Sequence, residues 1–302
     1  MFDIAYRVSL KYYWVYMQKI VFLIIIFFQF LVNAETLPSS LTIGLTAGGS
    51  PEALKKESAF FAETVQKMMN IPIKIYISKD YDSLADAVKN KKVDYAFLTA
   101  STYISAEASA SMKVLLKKTW TNPYYFSALV VLKESRISQI KDFKSKKIAF
   151  VDPKSTSGYL YPKVFLQQKK IQDSDFKEIV FSGSHAASIK MLEDKKVDIV
   201  AVFSDDEHSK IGAWTRFGQL SKNKFKVIWT SQPIPNDPFV VRTEFYEQFP
   251  KVSHDLMYNL IEMQSDPAIR KKVTEIMGTG DLMPATSKQY DPVREMHRVL
   301  SQ

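Results

Sequence analysis

Short apolar runs alternate along this chain with longer stretches in which apolar positions recur every three or four residues. Leu41 to Leu45 (LTIGL) is one such run and predicts a buried strand. Ala47-Gly48-Gly49-Ser50-Pro51 then reads as a loop ending in an N-cap serine and an N1 proline. Leu54, Phe61, Val65 and Met68 follow at helical spacing between Glu52 and Met69, and Ile71 to Ile77 is the next strand. Strand, helix, strand in this order is the grammar of a parallel sheet.

The pattern contains an echo. Residues 89–99 read KNKKVDYAFLT and residues 193–203 read EDKKVDIVAVF, 104 positions apart. Each follows an amphipathic segment, Tyr81 to Val88 or His185 to Leu192. One helix–turn–strand unit is thus used twice, with its lysine pair at a helix C-terminus, where cations favour the dipole. Two copies predict two similar α/β lobes. Ala128 to Leu132 (ALVVL) and Phe239 to Val241 bracket the second copy, which places residues 131–239 as a second lobe inserted into a first lobe of residues 35–130 and 240–302. After the insertion, Phe245 to Met263 carries Phe249, Val252, Leu256 and Leu260 at helical spacing, and further helices begin at Asp266-Pro267 and Asp291-Pro292. Lobes joined by two crossovers leave a hinged cleft for a small solute.

The N-terminus reads differently. Ile20 to Val32 (IVFLIIIFFQFLV) is preceded by Lys19 and closed by Val32-Asn33-Ala34. A basic flank, an apolar core too short to span a bilayer and small residues spaced by one predict a cleavable export signal over residues 1–34, cut between Ala34 and Glu35. The crowded aromatics Tyr12, Tyr13, Trp14 and Tyr16 make Met17 the more ordinary start of such a signal.

Composition adds exclusions. The chain has 302 residues and no cysteine, which rules out disulfides, thiolate metal sites, cysteine nucleophiles and a lipid-modified cysteine. Net charge is +9; the first 34 residues hold three basic side chains against Asp3, so about +7 belongs to the remainder. The lysines are scattered as short pairs such as Lys91-Lys92, Lys146-Lys147 and Lys195-Lys196, with no basic stripe interleaved with aromatics. That is a solvated basic surface, able to draw anions, and not a nucleic-acid footprint. Enzyme signatures fail as well. Ser157-Gly158 is not in a nucleophile elbow, His185 and Asp205 show no triad order, and the histidines at 185, 208, 254 and 297 lack metal-binding spacing. No phosphate-binding lysine loop or dinucleotide fingerprint is present, so no catalytic residue, metal or cofactor is expected.

Ile148 to Gln168 (IAFVDPKSTSGYLYPKVFLQQ) is the stretch with the most chemistry. A strand ends at Val151, Asp152-Pro153-Lys154 turns the chain, and Ser155-Thr156-Ser157-Gly158 opens a helix. Hydroxyls and unpaired N–H groups at a helix start cradle an oxyanion, while the same residues also suit plain capping.

VDPKSTSGYLYP, followed by Gly183-Ser184-His185 with His185 thirty residues after Ser155, resembles the periplasmic phosphonate-binding proteins of ABC importers, within the wider phosphate, phosphite and phosphonate group. The resemblance runs from about Leu41 to about Asp237. It implies a type II periplasmic binding protein fold, with two α/β lobes and the ligand between them. It implies a non-enzymatic solute-binding protein that is periplasmic, a monomer or weak dimer, and serves an inner-membrane ABC permease. By the same resemblance Ser155, Thr156 and Ser157 form the oxyanion cradle on the second lobe, Tyr81 and Tyr125 close over it from the first-lobe side, and His185 contacts the ligand from the second lobe. Asp237 matches a carboxylate beside the returning crossover. Asp205 stands where members that take an aminoalkyl phosphonate carry glutamate, and is one methylene shorter. Thr99, within Phe97-Leu98-Thr99, departs from the family's pattern; it and Thr46 are further candidate hydroxyls. Two carboxylates in one pocket would welcome an ammonium group on a phosphonate. The competing reading from the residues is a binding or sensor component for another small anion.

Overall fold

The computed structural model describes residues 37–46, 51–119, 122–277 and 281–302, together with Trp14, Met17 to Ile20 and Phe22. Most of the expected export signal, its cleavage point and the Ala47–Ser50 loop lie outside the described residues. Residues 39–302 pack as one unit.

The apolar runs become strands β1 (Leu41–Thr46), β2 (Ile73–Ser78), β3 (Tyr95–Phe97), β4 (Met112–Thr119), β5 (Tyr124–Leu132), β6 (Lys147–Phe150), β7 (Glu178–Phe181), β8 (Ile199–Ser204), β9 (Phe225–Thr230), β10 (Ile234–Pro235), β11 (Pro238–Arg242) and β12 (Asp281–Pro284). Between them lie helices α1 (Pro51–Met69), α2 (Tyr81–Lys89), α3 (Ala100–Glu107), α4 (Tyr161–Gln168), α5 (His185–Glu193), α6 (Ala213–Arg216), α7 (Thr243–Gln248), α8 (Pro250–Glu262), α9 (Pro267–Met277) and α10 (Asp291–Leu300). The single helix expected from Phe245 to Met263 is two. Pro250 disfavours helical geometry in the residue before it, and Phe249 takes φ −132 and ψ 59 at the break.

The strands form two mixed sheets of six, ordered β12-β4-β11-β3-β1-β2 and β10-β5-β8-β6-β7, with β9 also on β5. The chain passes from the first sheet to the second between β4 and β5 and returns between β10 and β11. Lys118 N–H donates to Asp237 C=O at 3.0 Å, and Asn236 Nδ2 to Asn122 C=O at 3.3 Å, so the two crossings run side by side. Buried residues line both faces of β5: Ala128, Val130 and Leu132 on one, Leu129 and Val131 on the other. That two-sided burial explains the unbroken apolar run ALVVL.

Both copies of the echo fold alike. Lys91 and Lys195 take left-handed conformations at φ 58 and 57. Asp94 and Asp198 then accept the N–H groups of Thr42 and Lys147, each at 2.8 Å. Each following strand, β3 or β8, runs parallel to the strand so engaged, β1 or β6. A half-buried carboxylate just before the strand thereby ties the register in both sheets.

Candidate functional site

A cavity of about 270 Å³ opens between elements of the two sheets. Four helices begin at its wall, and all four start the same way. Asp80 caps α2 by accepting Ser83 N–H at 2.7 Å, and Thr99 caps α3 through Thr102 N–H at 3.0 Å. Ser155 takes Gly158 N–H at 3.1 Å, and Ser184 caps α5 through Ala187 N–H at 3.1 Å. These helices follow the C-terminal ends of β2, β3, β6 and β7, each of which pairs in parallel with at least one neighbour. Ligands of open α/β sheets collect at strand carboxyl ends, and each helix start contributes partial positive charge there.

The Ser155–Ser157 segment is shaped by its neighbours. Asp152 Oδ1 accepts Lys154 N–H at 2.7 Å and Asp152 C=O accepts Ser155 N–H at 2.9 Å, which turns the chain sharply after β6. Thr156–Leu160 then forms a single π-helical turn before α4, a device frequent at functional sites. Pro162 has no N–H to return to Ser157, five residues back, and Ser157 C=O accepts Ser127 Oγ instead at 2.6 Å. Gly158 is required because the backbone presses onto β6's continuation: a Cβ there would lie 2.5 Å from Val151 Cγ2 and 2.8 Å from Ser155 Oγ. The N–H groups of Thr156 and Ser157 stand in the first turn, where no intrahelical acceptor exists. Ser155, Thr156 and Ser157 are all buried.

The cavity is lined by every residue of the expected set: Ser155, Thr156 and Ser157, Tyr81 and Tyr125, His185, Asp205 and Asp237. Thr99 joins them, and its Oγ1 donates to Lys154 C=O at 3.1 Å across the cleft. Thr46 does not line it; it accepts from Ser78 Oγ at 3.2 Å at the end of β1. Tyr125 stands elsewhere than expected. It lies in β5 of the second sheet, opposite Ile234, because that strand begins at Tyr124, upstream of the apolar run that marked it. The Tyr125 phenol rests against the Thr156 and Ser157 hydroxyls, and burial pushes its ionisation well above the ordinary range. Burial likewise raises Tyr81, so both phenols keep their protons and can donate.

Neither carboxylate stands alone. Asp237 faces Lys118 at 3.5 Å and accepts the Ala100 N–H at the start of α3; burial lifts its pKa while Lys118 opposes the rise. Asp205 meets Arg216, whose Nη2 lies 3.0 Å from both of its oxygens. Lys118, Arg216, Phe203 and Phe217 are among the lining residues that the sequence did not single out. His185 packs edge-on against Phe203 with centroids 4.9 Å apart. Its Nδ1 is buried without a hydrogen-bond partner among the described residues. Burial, aided by Arg216, pushes its pKa down to about 3. The unfolded chain takes up this proton near 6.5, so stability contributed by the neutral ring is lost as pH falls from 6.5 toward 3. The His185 ring resonances are accordingly expected to stay unshifted between pH 8 and pH 5 in an NMR titration. A midpoint near 6.5 would contradict the buried, neutral assignment.

Solved structures define the fold. The chain superposes on a binding protein component of an ABC phosphonate transporter from Pseudomonas aeruginosa with a TM-score of 0.72, 23% identity and 85% of each chain covered. It superposes on the Prochlorococcus marinus protein PhnD1, solved in complex with methylphosphonate, with a TM-score of 0.74 and 19% identity, covering 88% of this chain and 99% of that one. The fold is that of the type II periplasmic binding proteins. In sequence the chain is 27% identical over 272 residues to the phosphonates-binding periplasmic protein of Escherichia coli (strain K12), covering 87% of this chain and 78% of the relative. Residues 43–290 match the family described as "ABC transporter, phosphonate, periplasmic substrate-binding protein". The chain belongs to that family, whose members are non-enzymatic substrate-binding components of ABC importers.

Proposed function

We propose that this protein captures a small phosphorus oxyanion, a phosphonate, phosphate or phosphite, on the Ser155-Thr156-Ser157 helix start. The observation that carries the reading is the convergence of four capped helix starts and three buried hydroxyls on one cavity. Such a site binds by hydrogen bonds and oriented dipoles, with Tyr81 and Tyr125 as further donors. The Escherichia coli relative named for phosphonates and the methylphosphonate complex of the Prochlorococcus relative support the ligand class.

Residues 37–119 and 238–302, which carry the first sheet, act as one lobe, and residues 124–235, which carry the second, as the other. Closure of one on the other buries the ligand and creates the shape an ABC permease recognises. The bond from Ser101 N–H to Thr156 Oγ1 at 2.9 Å and the Thr99 bond to Lys154 join the two sides. The N-terminal segment serves as a cleavable export signal.

A thermal-shift series with phosphate, phosphite, methylphosphonate and sulfate tests this reading. A ligand present at a hundredfold excess over its Kd stabilises the folded state by about 2.7 kcal/mol, a rise of several degrees. One or more phosphorus oxyanions are expected to give that rise; a response to sulfate alone, or to none, overturns the ligand assignment.

A further inference from the structure

Resting on the oxyanion reading, the far wall of the cavity decides what the oxyanion can carry as a tail. Asp205 follows β8 directly. The chain then closes a tight loop, in which Asp206 accepts the N–H groups of Lys210 and Ile211 at 3.0 and 2.9 Å and Asp205 N–H donates to Ile211 C=O at 3.0 Å. That loop returns α6 to the cavity and sets Arg216 against Asp205. The guanidinium carbon also lies 4.8 Å from the centre of the Phe203 ring, so the cation is held between a carboxylate and an aromatic face. Asp205 is largely enclosed, its side chain 12% exposed, while Arg216, at 31%, covers it from the solvent side.

We propose that Arg216 is a specificity-determining residue: by occupying Asp205 it excludes phosphonates bearing an amino group and selects oxyanions with a short uncharged tail. An entering ammonium would have to displace the guanidinium from Asp205 and would bring a second cation against it. The other lining carboxylate offers no alternative, since Asp237 already faces Lys118 and the start of α3. An alkyl tail meets Phe203 and Phe217 and disturbs neither pair.

The test compares 2-aminoethylphosphonate with its near-isostere n-propylphosphonate by calorimetric titration of the wild type, Arg216→Gln and Arg216→Lys. The wild type is expected to bind propylphosphonate tighter by about tenfold or more. Arg216→Gln uncovers Asp205 and should narrow or reverse that ratio, whereas Arg216→Lys retains it. A wild type that prefers the amine overturns the proposal, as does a ratio unchanged in Arg216→Gln. If the glutamine variant does not fold, the wild-type and lysine ratios decide alone. Failure of both phosphonates and of phosphate to bind at all overturns the oxyanion reading itself, and is distinct from binding with the opposite preference.

Discussion

Gly158→Ala is expected to abolish measurable oxyanion binding and to lower stability by about 1–3 kcal/mol, the usual range for forcing extra atoms into a packed site. The added methyl would sit 2.5 Å from Val151 Cγ2, 2.7 Å from Val151 Cβ and 2.8 Å from Ser155 Oγ. Val151 cannot give way easily. It is β-branched, fully buried, and its N–H is bonded to Gly158 C=O at 3.1 Å. The relief therefore comes from the Ser155–Ser157 turn, which must lift away from the strand and carry its hydroxyls and N–H groups out of register with the ligand. Calorimetric titration and urea unfolding measure the two effects separately. Normal affinity in the alanine variant would show that the turn is not the seat of the ligand.

Thr156→Val is the second large effect, and its expected cost is an affinity loss of about 1–3 kcal/mol, or roughly five- to 150-fold. The Thr156 hydroxyl accepts the Ser101 N–H at 2.9 Å and lies against the Tyr125 phenol. Its own proton remains for an oxyanion. Valine preserves the shape and removes both functions, leaving the N–H of Ser101, itself 0% exposed, without its acceptor. Thr156→Ser, which keeps the hydroxyl, should recover most of the loss. Equal affinities for the wild type and the valine variant would contradict the role.

The hydroxyl-bearing turn that lines the cavity was legible in the sequence because it is local. A turn of Asp152-Pro153, a run of hydroxyls and a glycine are contiguous, and each has one ordinary structural consequence. The echo was legible for the same reason, since the Lys-Lys-Val-Asp turns carry their own capping and register information. The tail end was not. Asp205 read as an open carboxylate because its partner stands eleven residues on, beyond a loop whose closure depends on Asp206 bonding backbone rather than on any periodic signal. Lys118 carried no signal of its own; only the crossing of β4 beside residues 236–237 turns it toward Asp237. Tyr125 was assigned to the wrong side because aromatic and polar residues open β5, and an apolar run alone does not reveal where a strand begins.

The account stands most directly on the position of the ligand. A crystal structure of the protein with methylphosphonate is predicted to place the phosphorus-bound oxygens within hydrogen-bonding distance of the Ser155, Thr156 and Ser157 hydroxyls and of the N–H groups that open the π-helical turn. An oxyanion bound away from that turn, or a cavity that stays empty at saturating ligand, would contradict it.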